Sequence, residues 1–247
     1  MKLGRWQAVL GGLLIAFSAI VYCVQILVFH KTEDTFFYMF QDLAFVPVQV
    51  LLVTLMLNQL FKRREQIALQ KKLNMVIGVF YSEVGSHLLK FFSEFDAKDG
   101  ELHSALRLAT DWTGKDFKVA MDRVRAHEFA IDSKHGDLQA MREFLSGQKT
   151  FLLGLMGNPN LLEHESFTEL LWAVFHLSEE LSRRQNLDAL PASDQAHISG
   201  DIKRSYTLLL SEWLAYNRHL KDDYPFMYSF VVRTNPFNPD AEVEVKV

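Results

Sequence analysis

Cysteine is almost missing: Cys23 is the single one in 247 residues, so no internal disulfide forms and packing alone must hold the fold. Proline and glycine are scarce too, at 6 and 12. Few breakers argue against a strand-and-turn architecture and for long helices. No basic stripe with interleaved aromatics is present and the net charge is −4, which excludes the electrostatic footprint of a nucleic-acid binder. Phosphate-cradling GxxxxGK[ST], GxGxxG, the GxSxG elbow, HExxH and a TVGYG filter are all lacking. The sequence therefore predicts a chain that is not an enzyme and carries no cofactor and no metal.

Charge is also missing from one region, and that absence organises the rest. Trp6 to Phe29 holds no charged residue. At ~1.5 Å per residue it is long enough for a hydrocarbon core of ~30 Å. A second apolar run, Phe36 to Phe61, is interrupted only by Asp42 and a few neutral polar residues. The "HKTEDT" between them, His30 to Thr35, has the length of a helical-hairpin turn. A cleaved signal peptide fits poorly, because the first run is long and no small-x-small site follows it. Residues 1–61 thus read as a transmembrane hairpin with helices near 6–29 and 36–61.

Lys2 and Arg5 precede the first run, and Lys62, Arg63, Arg64, Lys71 and Lys72 follow the second. The positive-inside rule places both termini in the cytoplasm of an inner (plasma) membrane protein with two spans. The basic group reads first as a topology signal, with lipid headgroups as a further contact.

Within the first run, Gly4, Ala8, Gly12, Ala16, Ala19 and Cys23 are small residues on one side of a helix. Such stripes let membrane helices approach closely. They serve either a homo-oligomer seam or packing against the second helix. Gln41, Asp42, Gln49 and Asn58 are the polar residues of the second run. An intramembrane carboxylate marks an ion path, but a span starting at Leu43 leaves Asp42 in the interface. Pro47 removes a helix hydrogen bond to Leu43.

Past the basic group, Leu69, Leu73, Val76, Phe80, Val84, Leu88, Phe91 and Phe95 recur at steps of three and four. That is the period of an amphipathic helix. Residues 62–95 read as a juxtamembrane helix continuous with the second run, ending at "DAKDG", Asp96 to Gly100. Gly78, Ser82 and Gly85 form a small-residue notch on it, suited to close approach of another helix.

Residues 96–224 read as a cytosolic helical bundle. The spacing predicts helices over 102–112, 116–131 and from Gly136 to Met156, stopped by Gly157-Asn158-Pro159. Ser166-Phe-Thr-Glu169 fits a capping box for a helix to about Arg184. A last long helix runs from about Ser193 to Asp222. Residues 225–247 hold three of the prolines and end in alternation, which predicts an extended C-terminal arm, ordered to Phe237. The expected fold is all-α: a two-helix transmembrane hairpin continuing into a cytosolic bundle with a short extended arm.

Histidines and carboxylates fall together at Glu165, Glu169, His176 and Glu180, at His127 with Glu128, at Asp132 with His135, and at Glu212 with His219. No Glu-x-x-His pair of the bundled metal-carboxylate kind occurs, so these read as solvated faces. The expected function is a membrane-anchored, oligomeric helical module for interaction or signalling, with the lipid bilayer and a cytosolic protein as partners. A pore-forming two-helix channel is the alternative, and a bundle enzyme with a His/carboxylate metal site the second.

Overall fold

The computed structural model describes residues 5–161 and 164–244. Lys2, Gly4 and the last three residues of the alternating tail lie outside that range. Among the described residues every regular element is helical, and a single isolated bridge joins Asp96 to Ile131. The chain divides into two units, residues 1–67 and 68–247.

The first unit contains α1 (Arg5–Phe29) and the larger part of α2 (Thr32–Phe80). The six-residue turn expected between them is a correction: His30 and Lys31 alone lie between the helices. His30 takes the left-handed conformation (φ 53°) and donates its N–H to Ile26 O at 3.0 Å. That closes α1 in the manner usually given to glycine. Thr32 to Thr35 already form the first turn of α2. Glu33 and Asp34 sit where the helix dipole favours acids, Lys31 pairs with Asp34 at 3.2 Å, and the Thr35 hydroxyl donates to Lys31 O at 3.0 Å. The helix continues through Pro47.

The second unit takes up the end of α2, a π-helical turn (Tyr81–Gly85), α3 (Ser86–Glu94), α4 (Asp99–Ala105), α5 (Gly114–Ala126), α6 (Leu138–Met156), α7 (Glu165–Ser182), α8 (Ala192–Asp223) and α9 (Pro225–Arg233). The π turn inserts one residue into the apolar stripe. Its effect is visible in burial: Leu73, Phe80, Val84, Leu88 and Phe95 are buried as the spacing predicts, but Phe92 and Leu89 join them and Phe91 is only partly covered. A π turn shifts the helix face in this way.

Helix α8 is the centre of the unit, packing against α3, α5, α7 and α9, while α6 lies on α7. Its buried stripe includes Ile198, Ile202, Tyr206, Leu209, Trp213 and Leu220. Phenylalanine rings fill much of this core. Phe80 meets Phe167 edge-on at 5.3 Å, and Tyr206 takes Phe92 at 5.9 Å and Phe129 at 5.4 Å. Each such ring pair adds ~0.5–1.5 kcal/mol beyond its area burial.

Several expected boundaries move, each for a tertiary reason. The helix expected over 102–112 ends at Ala105 because side chains from the end of the chain take the next carbonyls. Asn235 Nδ2 donates to Leu106 O and Tyr228 Oη to Ala109 O, both at 2.9 Å. The helix expected over 116–131 ends at Ala126 because Asp96 captures the segment beyond it. Buried Asp96 accepts from Ala130 N at 3.0 Å and lies 2.8 Å from His127 Nε2, and Ala97 N donates to Ala130 O at 3.2 Å. The expected capping box at Ser166–Glu169 does not form. The N-cap is His164, whose Nδ1 accepts from Phe167 N at 3.3 Å, and Ser166 lies inside α7. An N-terminal pair of that kind sits instead at Thr113 and Asp116, where Asp116 Oδ2 accepts from Thr113 N at 2.6 Å and from Thr113 Oγ1 at 2.7 Å.

The extended arm expected over 225–247 is corrected for its first part: Pro225–Arg233 is helical. Proline at the first helical position lacks only an N–H that would have no partner there. The alternating Phe226, Tyr228 and Phe230 look like a strand in sequence, yet only Tyr228 is buried. Beyond α9, Phe237 is buried against Trp213, ring centres 5.3 Å apart.

Candidate functional site

In the first unit, Gln41, Asp42, Gln49 and Asn58 all lie on α2 with exposed side chains. None of them makes a side-chain hydrogen bond or ion pair among the described residues. The small residues Gly12, Ala16, Ala19 and Cys23 are exposed on α1, on which Ala8 also lies. A Cβ added at Gly12 would meet nothing within 4 Å, so packing against α2 does not explain this glycine. The apolar surroundings are equally uncovered: Trp6 is 74% exposed, Ile15 73% and Phe37 68%. Two helical stretches, Val9–Phe29 and one within Thr32–Glu94, are long and apolar enough to cross a membrane, and their apolar windows bury nothing within the chain. Lys62, Arg63, Arg64, Lys71 and Lys72 are exposed on α2 and form no ion pair among the described residues.

In the second unit, the Gly78 notch has an occupant. A Cβ at Gly78 would stand 2.5 Å from the Tyr216 hydroxyl, and one at Gly85 would stand 2.4 Å from the Tyr81 ring. Tyr216 stacks on Tyr81 at 5.5 Å, and Tyr81 Oη donates to Leu209 O at 3.0 Å. Burial, with Glu212 and Tyr216 beside it, drives the Tyr81 phenol well above its ordinary value of 10.0. Next to this stack opens a cleft of about 510 Å³, with Ser82, Ser86, His87 and Lys90 on one wall and Phe226 and Phe230 of α9 on the other.

The densest polar grouping lies where α7 meets α8. Arg184 organises one side. It donates to Asp194 at 2.8 and 2.5 Å and to Glu180 Oε2 at 2.7 Å. These hydrogen bonds hold both carboxyls below their usual range, and the bonds to Asp194 and then Glu180 push the guanidinium up. On the other side, His176 Nε2 is 3.9 Å from Glu180 Oε1 and 3.3 Å from Asp201 Oδ2. His197 Nε2 is 3.6 Å from Glu180 Oε2 and 3.4 Å from Asp201 Oδ2. Lys149 pairs with Glu179 just beside it, holding that carboxyl low as well.

Sequence patterning singles out His176 and Glu180 but sets them with Glu165 and Glu169, and it passes over His197 and Asp201. The signal that would have found them is a His-x-x-x-carboxylate pair repeated on two successive helices. The other pairs singled out in the sequence resolve differently. His127 serves Asp96, His219 pairs with Asp223 at 2.8 Å instead of Glu212, and Glu128 pairs with Lys98 at 3.3 Å.

The chain is thus an all-α protein with an uncovered apolar helix pair and a packed helical unit. Models of two helical domains match it: the MJ1433 N-terminal helical domain over residues 1–61, and the C-terminal helical domain of uncharacterized protein MJ1433 over residues 69–233. The chain belongs to this MJ1433 family. A relative of that name, uncharacterized protein MJ1433 of Methanocaldococcus jannaschii, is 43% identical over 234 residues, covering 95% of this chain and 94% of its own. No solved structure matches.

Proposed function

We infer that the protein is an integral membrane protein, anchored by the α1–α2 hairpin, whose second unit is a non-enzymatic, oligomeric module for interaction or signalling on the cytoplasmic side. One observation carries the reading: the two apolar helices cover none of their apolar windows with protein. Soluble monomers rarely expose contiguous apolar patches beyond a few hundred Å², and a bilayer is the solvent that removes the penalty. The basic residues Lys62, Arg63, Arg64, Lys71 and Lys72 orient the hairpin with both termini inside.

The test is membrane extraction followed by labelling. The full chain is expected to stay with membranes in alkaline carbonate and to leave them in mild detergent. With Cys23→Ala as background, Glu33→Cys should react with an impermeant maleimide on intact cells, and Lys115→Cys only after lysis. A chain released by carbonate, or labelled at Lys115→Cys from outside, ends the reading.

A second reading rests on the exposed, unpaired Gln41, Asp42, Gln49 and Asn58 of α2. Side chains of this kind line a path between subunits when hairpins assemble into a pore. Conductance of reconstituted protein that Gln49→Lys changes in ion selectivity would favour the pore over the anchor.

A further inference from the structure

The repeated pattern is His176-x-x-x-Glu180 on α7 and His197-x-x-x-Asp201 on α8. Residues four apart share a helix face. The link over 183–191 brings the faces together in antiparallel register, so that His176 meets Asp201 and Glu180 meets His197. We propose that these four side chains form a binding site for a first-row divalent metal ion of the zinc type.

The spacing supports it first. Donors on a tetrahedral ion with ~2.0–2.1 Å bonds stand ~3.3–3.4 Å apart. Asp201 Oδ2 lies 3.3 and 3.4 Å from the two imidazole nitrogens, and on the other side Glu180 Oε2 lies 3.6 Å from His197 and Oε1 3.9 Å from His176. One donor atom from each of His176, Glu180 and His197 lies within 4.8 Å of the others. Charge-assisted hydrogen bonds are shorter, ~2.7–2.9 Å. The two imidazoles and Asp201 are therefore spaced as co-ligands of a common centre, not as donors to one another, and Glu180 is the nearest further donor.

Burial is the second, independent observation. Asp201 is 4% exposed, and its Oδ2 accepts no hydrogen bond. Arg204 approaches the other oxygen only, at 3.8 Å. A buried carboxylate oxygen without a donor is costly, and a cation between the imidazoles satisfies it. Arg184 holds Glu180 by Oε2 and leaves Oε1 toward His176. That is the orienting role outer hydrogen-bond partners play around metal ligands.

Two imidazoles select against Mg²⁺ and Ca²⁺, which take oxygen donors, and suit zinc and its neighbours. The half-exposed rings, 45% and 52% at the side chain, give the ion its way in. The donors come from both helices, so the metal clips α7 to α8. This departs from the metal-free chain that the sequence alone predicts.

The experiment uses the full chain in mild detergent, without a histidine tag and stripped by chelator, titrated with Co²⁺ and then with Zn²⁺ against a chromophoric chelator. The expected result is one ion per chain, intense tetrahedral Co²⁺ absorption in the visible, and displacement by Zn²⁺. His176→Ala and His197→Ala should each weaken Zn²⁺ binding at least ~100-fold, and Arg184→Gln ~10–100-fold. His135→Ala should leave it unchanged. Helix content by circular dichroism checks the fold, and the exposed rings make the two alanine variants tolerable. Binding unchanged in both histidine variants overturns the proposal. So does the lack of any tetrahedral cobalt spectrum, the result that imidazolium–carboxylate pairing without a metal predicts.

Discussion

Asp96 is the residue on which the second unit's irregular segment depends. It is 4% exposed, and its Oδ1 accepts from Lys98 N at 3.1 Å and Ala130 N at 3.0 Å. Its Oδ2 lies 2.8 Å from His127 Nε2. Asp96→Ala removes all three interactions and strands the Ala130 N–H and the His127 ring. Each stranded group costs ~1–3 kcal/mol, so the two together give an expected loss of about 2–6 kcal/mol. For a unit of this size each kcal/mol moves the midpoint ~2–4 °C, which gives a fall of roughly 4–24 °C. Asp96→Asn separates geometry from charge. Its carbonyl oxygen keeps both backbone donors, and its amide faces His127 Nε2, which accepts when the ring is neutral. The expected cost is then less than half as large. The assay is thermal unfolding of the full chain in mild detergent with chelator, followed by tryptophan fluorescence, to which buried Trp213 (2% exposed) contributes the change on unfolding of the core. An Asp96→Ala midpoint within ~2 °C of wild type (~1 kcal/mol) would refute the reasoning. An Asp96→Asn variant as unstable as Asp96→Ala would refute the assignment of the cost to the backbone donors.

Two glycine substitutions should differ in sign. Gly147 lies inside α6 with nothing within 4 Å of an added Cβ, so Gly147→Ala should raise stability by ~0.5–1 kcal/mol. Gly78→Ala drives its Cβ into Tyr216, which the Tyr81 stack holds in place, and should cost ~1–3 kcal/mol; the same melts read both. The pH profile of the metal-stripped chain should have two falling limbs. Glu180 and Asp194 are held low in the fold, so their contribution is complete above ordinary carboxyl values near ~4 and is lost as pH falls through the lower folded values. Arg184→Gln should flatten that acid limb. Tyr81, Tyr216 and Tyr228 are held above 10.0 by burial. Their contribution is complete below ~10 and fades as pH rises further, which a midpoint unchanged between pH 10 and 11 would contradict.

Legibility tracks the range of the interactions involved. The apolar run ending at Phe29, the stop at Gly157 and the span of α8 are local patterns, and each lies where the spacing predicts within a residue or two. The ends of α4 and α5 are not legible. Asn235, Tyr228 and Asp96, far away in sequence, compete for the backbone groups that would have continued those helices. The stripe through Leu88 and Phe95 reads correctly at its ends and wrongly at Phe91, because one π turn re-aims half a helix. The α7–α8 cluster is half legible. A search for i, i+3 ligand pairs passes over i, i+4 pairs, and only the antiparallel register shows that two such pairs face each other.

The sequence by itself determined that the protein is helical, that its first sixty residues differ in kind from the rest, and that no disulfide supports it. Those facts follow from composition and from periodicity along one helix, which need no partner to be read. The tertiary structure alone decided which carbonyls remain for helix bonding, that Tyr216 fills the Gly78 notch, and that His176, Glu180, His197 and Asp201 converge. Each of these depends on groups from different helices meeting within a few ångströms, and the packing of the helices around α8 is the physical cause that brings them there.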